Sequence, residues 1–411
     1  DNWTGGLCLE RMNPDVAGQS YRLWDVENCD TRHPSHIILS PAFNVCTISP
    51  SYGDTSLMFQ YLNNLYLVHT EGTFDGGVTF QFSPPYTFGS FRSLAAGDGL
   101  DARSKVRAVR AIGGNIVYVA RHVPVYDDVW SLEKAATLGG ALTEINDIQA
   151  IGSIMPQFGE FGGTVCLLQY NNNLAIFNTI KQNLATSSVV ATVGVIGGSY
   201  LSPLVSDGVT MFAYLPNGIY NVDTSPNIII DTARSQDINP NLAMFENNLY
   251  FKSKKSLMKY DGETIAPAGY DREDGLTTEK FGEITAMAST WKYIFAAVKG
   301  LTYSHILTMD TNKVWEYYAR VPSAGIWVRE MLFSDAPDSI DRLWCLFGNS
   351  NRPGYFLNPM VNPLQAATYS FVPTGKFIMP IHDGGMAEEK GGYYDMSVIA
   401  DAIGSNLITS F

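Results

Sequence analysis

Long apolar runs are missing from this sequence. Nothing in it approaches the ~20 unbroken apolar residues of a membrane-spanning helix, so no membrane span is expected. Charge is sparse as well. Charged residues make up 16% of the chain against 45% hydrophobic ones, a balance foreign to disordered tails and charged solenoids. The scarcer sign is positive, with 27 Lys and Arg against 40 Asp and Glu and a formal charge of −13. Such a surface repels phosphate backbones. The densest basic stretch, Arg103 to Arg110, alternates with apolar residues and reads as the solvent face of a strand. No nucleic-acid partner is expected. The motifs HExxH, Walker A, GxSxG and GxGxxG are all absent.

Cysteine is rare and odd in number: Cys8, Cys29, Cys46, Cys166 and Cys345. Three fall in the first 50 residues, which leaves room for one disulfide there, but reduced thiols are the default expectation. Helical patterning is also lacking. No amphipathic run of period 3.6 exceeds about ten residues, and Gly and Pro interrupt nearly every candidate. That argues against helical arrays of similar repeat length.

What the chain does have is 22 Tyr, 21 Phe and 37 Gly in 411 residues, a composition suited to many short strands joined by tight turns. A short β-rich run recurs along it. The copies are Asn63 to Val68, Gly114 to Val119, Gly163 to Leu168, Gly208 to Ala213, Asn247 to Phe251, Trp291 to Ala296 and Asp341 to Leu346. Successive starts lie about 40 to 50 residues apart, the spacing of one four-stranded propeller blade. The fifth copy shows the unit: strand Leu242 to Phe245, turn Asn247-Asn248, strand Leu249 to Lys252, then Leu257 to Tyr260 ending at Asp261-Gly262. Asn-Asn and Asp-Gly tolerate the positive φ angles of two-residue hairpins. The sixth copy repeats the scheme as Ile284 to Ala288, Tyr293 to Val298, His305 to Met309 and Val314 to Tyr318. The fold expected is therefore all-β, a propeller of about seven four-stranded blades over 51–368. A stacked sandwich array is the structural alternative. Residues 1–50 read as an extended N-terminal arm that orders on partners, although one blade can borrow a strand from it to close a ring. Residues 369–411 read as the start of a C-terminal β module. The alternating end Ile408-Thr409-Ser410-Phe411 carries no polar tail, which predicts that the native polypeptide continues.

Reactive groups are scattered. His33-x-x-His36 is the one close histidine pair, in a Pro-containing loop, and reads as a surface pair rather than a zinc site. Asp271-Arg272-Glu273-Asp274-Gly275 and Asp98-Gly99-Leu100-Asp101 carry clustered oxygens, but without full calcium-loop spacing they read as solvated turns. Asp54, Asp207, Glu246 and Glu283 stand near blade starts, where a propeller glycosidase would need two carboxylates to converge; they equally suit turn positions. Tyr317-Tyr318, Trp327, Tyr355-Phe356 and Tyr393-Tyr394 offer flat rings for sugar stacking, with the core as the competing destination. Asn2-Trp3-Thr4 is a lone glycosylation sequon. No catalytic, cofactor-binding or metal-binding residue is assigned.

With the repeats laid out, the chain resembles a group of tailed-bacteriophage virion proteins built as a Gly-containing arm, a degenerate propeller and a β module. Three places carry the resemblance. Gly5-Gly6-Leu7 is followed by Asn28-Cys29-Asp30-Thr31-Arg32, where the group has an Asn-rich and then basic stretch. Leu257-Met258-Lys259-Tyr260-Asp261-Gly262 resembles its recurrent aromatic-Asp-Gly hairpin. Gly375-Lys376-Phe377-Ile378-Met379-Pro380, His382-Asp383-Gly384-Gly385 and Glu388-Glu389-Lys390, with the strand Tyr394 to Ile399, are similar to its junction leaving the propeller. The resemblance implies a structural role in the virion, at the tail, neck or baseplate, with other virion proteins and copies of itself as partners. It carries over no catalytic residue. The second hypothesis is a propeller, secreted or on a virion, that binds or cleaves host-surface glycans.

Overall fold

The computed structural model describes most residues between 23 and 378; within that span the longer connections, among them 70–77, 94–104, 232–240, 269–279 and 362–369, lie outside the described residues. All regular structure among the described residues is β, and no helix is found there. Among the described residues the strands form six four-stranded sheets, one of five and three two-stranded ones.

Five short strands come first: β1 (Asp25–Glu27), β2 (Cys29–His33), β3 (His36–Leu39), β4 (Phe43–Val45) and β5 (Thr47–Ser49). The first large sheet holds β6 (Thr55–Tyr61), β7 (Asn64–His69), β8 (Val78–Ser83) and β9 (Thr87–Ser93), with β5 added in parallel to β9. The second holds β10 (Lys105–Ile112), β11 (Ile116–Val123), β12 (Val129–Ala135) and β13 (Thr143–Gln149). After β14 (Ile154–Met155), the third holds β15 (Gln157–Phe161), β16 (Thr164–Asn171), β17 (Leu174–Ile180) and β18 (Leu184–Thr192). Beyond β19 (Tyr200–Leu201), which pairs with β14, comes the fourth: β20 (Leu204–Ser206), β21 (Met211–Leu215), β22 (Gly218–Asn221) and β23 (Asn227–Asp231). The fifth holds β24 (Leu242–Phe245), β25 (Asn248–Ser253), β26 (Ser256–Tyr260) and β27 (Ile265–Pro267). The sixth holds β28 (Glu283–Ser289), β29 (Ile294–Lys299), β30 (Ser304–Met309) and β31 (Trp315–Arg320). The seventh has only three consecutive strands, β32 (Val328–Ser334), β33 (Arg342–Phe347) and β34 (Gly354–Leu357), and takes β4 as its fourth. The last strand, β35 (Lys376–Ile378), pairs with β1.

Within each large sheet the consecutive strands pair antiparallel, and several of the described turns between them take the left-handed backbone that tight hairpins require. In the fifth sheet Glu246 and Asn247 adopt φ of 49° and 58°, so the turn falls one residue earlier than the sequence predicts and Asn248 opens β25. Asp261 closes the β26–β27 turn by accepting from Glu263 N (3.1 Å) and Thr264 N (2.8 Å), with Gly262 at φ 100°. Only glycine takes that angle without strain.

The first strands of successive sheets lie side by side, β6 on β10, β10 on β15, β15 on β20, β20 on β24, β24 on β28 and β28 on β32. The seventh sheet then returns to the first through β33 on β6. The sixth sheet, placed between the fifth and the seventh, is buried on both faces, and the period-2 alternation of its strands divides the side chains between two cores. In β29, Ile294, Ala296 and Val298 pack with the fifth sheet, whereas Phe295 and Ala297 pack with the seventh. A third core lies between the seventh sheet and the first, where Phe82, Phe88, Trp344 and Tyr355 interlock; the Phe82 and Trp344 rings meet edge to face at 4.7 Å.

Candidate functional site

The most elaborate polar construction lies where residues 25–49 cross the outer strands of the sixth, seventh and first sheets. The sequence predicts an arm there with no core of its own. The described part of the segment is instead extensively buried: Val26, Cys29, Asp30, Thr31, Arg32, Ile38, Ser40 and Cys46 all lie inside. The partners of residues 25–45 outside the segment stand hundreds of positions away in sequence, and those of 47–49 some 40 away, so local pattern gives no sign of them.

Strand β2 packs on β31. Tyr317 N donates to Thr31 Oγ1 (3.0 Å), and Ser40 Oγ donates to Tyr318 O (2.7 Å). Arg32 folds back on Asp30, donating from Nε to Oδ1 (2.9 Å) and from Nη2 to Oδ2 (2.6 Å), while Nη1 donates to Pro359 O just beyond the seventh sheet. Its guanidinium also faces the rings of Tyr318 (4.3 Å) and Tyr293 (5.1 Å). One buried cation thus ties the arm, the sixth sheet and the exit of the seventh. Nearby Glu316, on β31, is buried, and that burial, with Asp30 and Asp310 close by, pushes its carboxyl up to about 8.

Strand β1 brings two acids onto two bases. Asp25 pairs with Lys280 and Glu27 with Arg320. Under them His305 shares a hydrogen bond between Nδ1 and Tyr317 Oη (3.2 Å), and its buried Nε2 has no hydrogen-bond partner. Burial, reinforced by Lys280 and Arg320, holds this imidazole neutral down to about 3. Cys29 is pushed up to about 12 by burial, and burial raises Cys46 and Cys345 further. All three are free thiols, poorly suited to nucleophilic work.

The joint between the seventh and first sheets is equally knit. Arg342 grips Asp338 in a two-pronged pair (2.6 and 2.7 Å), with the rings of Phe82 and Tyr355 each 5.2 Å from its guanidinium carbon. Ser334 Oγ donates to Gln60 Oε1 (3.1 Å), Asn63 Nδ2 to Pro337 O (3.0 Å), and Tyr355 Oη to Pro85 O. Cys46 N donates to Pro353 O (2.9 Å) and Thr47 N to Tyr86 O (2.8 Å), so the arm itself crosses this joint.

Of the carboxylates singled out from the sequence, the described ones stand in three different sheets. Asp207 accepts from Val209 N (2.8 Å) and Thr210 N (2.6 Å) in the turn that ends β20. Glu246 occupies the turn that ends β24, and Glu283 opens β28 paired with buried Lys252 (2.8 Å). Asp54, 98–101 and 271–275 lie outside the described residues. His33 and His36 are backbone register partners where β2 meets β3. Among the described residues no group of three His, Cys, Asp or Glu side chains is placed to hold a metal ion. The aromatic pairs are core: Tyr317, Tyr318, Tyr355 and Phe356 are all buried. Trp327 lies partly covered beneath Lys299 (4.9 Å), and Tyr393-Tyr394 lies outside the described residues. Among the described residues Trp291, 80% exposed in the β28–β29 turn, is an exposed aromatic that sequence reading did not single out for binding.

No family model and no curated protein matches the sequence. Among solved structures the chain is similar to a prolyl endopeptidase (TM-score 0.49, 11% identity, covering 80% of this chain and 50% of that one). It is similar also to the extracellular domain of a one-component system of B. thetaiotaomicron (TM-score 0.49, 12% identity, 86% and 48%) and to a candidate 6-phosphogluconolactonase from Bacteroides uniformis (TM-score 0.47, 14% identity, 77% and 100%). The chain spans about half the length of the first two.

Proposed function

We propose that this chain is a seven-bladed β-propeller closed by its own N-terminal strand, and that it serves as a structural component of a tailed-phage virion rather than as an enzyme. The observation that carries the propeller reading is the completion of the seventh sheet by β4, together with the return of β33 to β6. A ring of blades whose last member is finished from the other end of the chain has no open sheet at its seam. The three stretches that resemble virion proteins support the assembly role. Two of them, 28–32 and 375–378, meet in the structure, where Gly375 packs against Cys29 and Asn28.

The non-catalytic reading is supported by the occupation of the charged groups. Asp25, Glu27, Asp30, Glu283 and Asp338 are engaged by Lys or Arg, and Asp207 is spent on a turn. Catalysis asks for groups converging on a substrate, whereas subunit contacts ask only for rims and edges. The turn rim presents Leu62, Val209 and Trp291 to solvent, and of these Trp291 is of the residue type that most often anchors such contacts. The test is reconstitution of the purified chain with whatever tail, neck or baseplate proteins its gene neighbours encode. Stable complexes on gel filtration support the assignment. Saturable binding or turnover of a polysaccharide, without such complexes, replaces it with the glycan reading.

A further inference from the structure

We infer that segment 370–378 is a latch on the closing strand: β4 holds its place in the seventh sheet only while the chain leaving that sheet is zipped to the arm. Any load or partner acting on the flank beyond residue 378 is therefore transmitted to the seam.

The pairing explains why. By itself β4 is three residues long, registered as Phe43 on Phe356, Asn44 on Tyr355 and Val45 on Gly354. An edge strand of that length holds poorly alone. Immediately before it, Ala42 N donates to Ser370 O (2.8 Å) and Val372 N donates to Ser40 O (3.0 Å), with Pro41 bridged to Phe371. The zip continues outward as β1 on β35, where Asp25, Val26 and Glu27 face Ile378, Phe377 and Lys376. Between these two contacts Gly375 fits a notch in the β2–β3 hairpin. A Cβ there would land on Cys29 Sγ and stand 2.8 Å from both Asn28 O and Leu39 Cδ2. Asn28 holds φ 55° to shape that notch, and Ser40 N closes it by donating to Asn28 O (2.9 Å).

Every one of these latch contacts is made to the arm. Removing the latch leaves β4 with its three-residue register, the packing of Phe43 on Phe347 and Phe356, and the flanking bonds of Ser40 Oγ to Tyr318 O, Cys46 N to Pro353 O and Thr47 N to Tyr86 O, none of which extends the three-residue ladder itself. Latch and closing strand should consequently open together, as one cooperative unit. The inference rests on these pairings alone and stands apart from the virion assignment.

Native-state hydrogen exchange on the full chain tests it. In the unaltered protein the amides of Ala42, Val372 and Cys46 should share one opening reaction, with the same dependence on denaturant. Gly375→Val should speed exchange at all three on the order of tenfold or more, while Asp207 N, bonded to Thr210 O in the fourth sheet, keeps its rate. Faster exchange at Val372 with Cys46 unchanged would overturn the latch. So would a Val372 amide that opens at much lower denaturant than Cys46 in the unaltered chain, a comparison that decides the matter even if Gly375→Val fails to fold.

Discussion

Replacing Arg32 with Met removes the cation on which arm, sixth sheet and seventh sheet converge. The side chain of Met roughly fills the aliphatic volume but leaves Asp30 as a fully buried carboxylate, stripped of its two bonds from Nε and Nη2, and leaves Pro359 O without its donor. Breaking a buried pair from one side costs about 3–5 kcal/mol, chiefly because the surviving charge stays desolvated. The contact with Tyr318 adds to the loss without summing cleanly with it. Asp30→Asn combined with Arg32→Met removes the orphaned charge, so the double variant should be more stable than Arg32→Met alone by about 1–3 kcal/mol. The assay is urea unfolding followed by fluorescence, since Trp315 and Trp344 are both buried near the affected sheets, with exchange at Tyr317 N as a local readout. A loss below about 1 kcal/mol for Arg32→Met, or a double variant weaker than the single, would refute the assignment of this pair as the arm's anchor.

Glu316 predicts a pH dependence of a definite sign. A carboxyl held at about 8 in the folded state carries an extra proton relative to the unfolded chain, so stability declines as pH rises from the ordinary glutamate range to about 8 and then levels; Glu316→Gln should flatten that slope in urea titrations at pH 5, 6, 7 and 8. His305 acts from the other side. Held neutral down to about 3, it contributes stability present above the ordinary histidine range and lost progressively as pH falls toward 3; a His305→Gln variant should be less acid-sensitive by thermal melting. Gly354→Ala would place a Cβ on the Phe43 ring and 2.7 Å from Asn44 O, so β4 must shift; a loss of about 1–3 kcal/mol is expected, with proteolysis beginning within the arm. Trp291→Ser, at an exposed turn, should change stability by no more than about 0.5 kcal/mol, measured by the same unfolding assay.

The sheets were legible in the sequence because their signals are local. Asn-Asn and Asp-Gly turns mark where strands reverse, and the four strands read between Ile284 and Tyr318 match β28 to β31 to within about two residues. The one-residue offset at Glu246 arose because an unfavoured residue accepts the left-handed angle there. The site was not legible, for two physical reasons. Residues 25–49 form strands of three to five residues, some with partners more than 300 positions distant, as for Cys29 Sγ and Lys376 O at 347, and polar runs such as Asp30-Thr31-Arg32 show no amphipathic alternation when both faces are covered. Tyr317 and Tyr318 failed as sugar platforms for the related reason that alternation sends one ring toward the fifth sheet and the other toward the seventh. In a sheet flanked on both sides, alternation no longer means inside and outside.

The most direct test is an experimental density map of the purified chain at side-chain resolution. The account predicts seven sheets around one central axis, with Phe43, Asn44 and Val45 paired to Phe356, Tyr355 and Gly354 of the same chain. Two stacked sandwiches without an axis, or a seventh sheet left at three strands with residues 43–45 elsewhere, would contradict it.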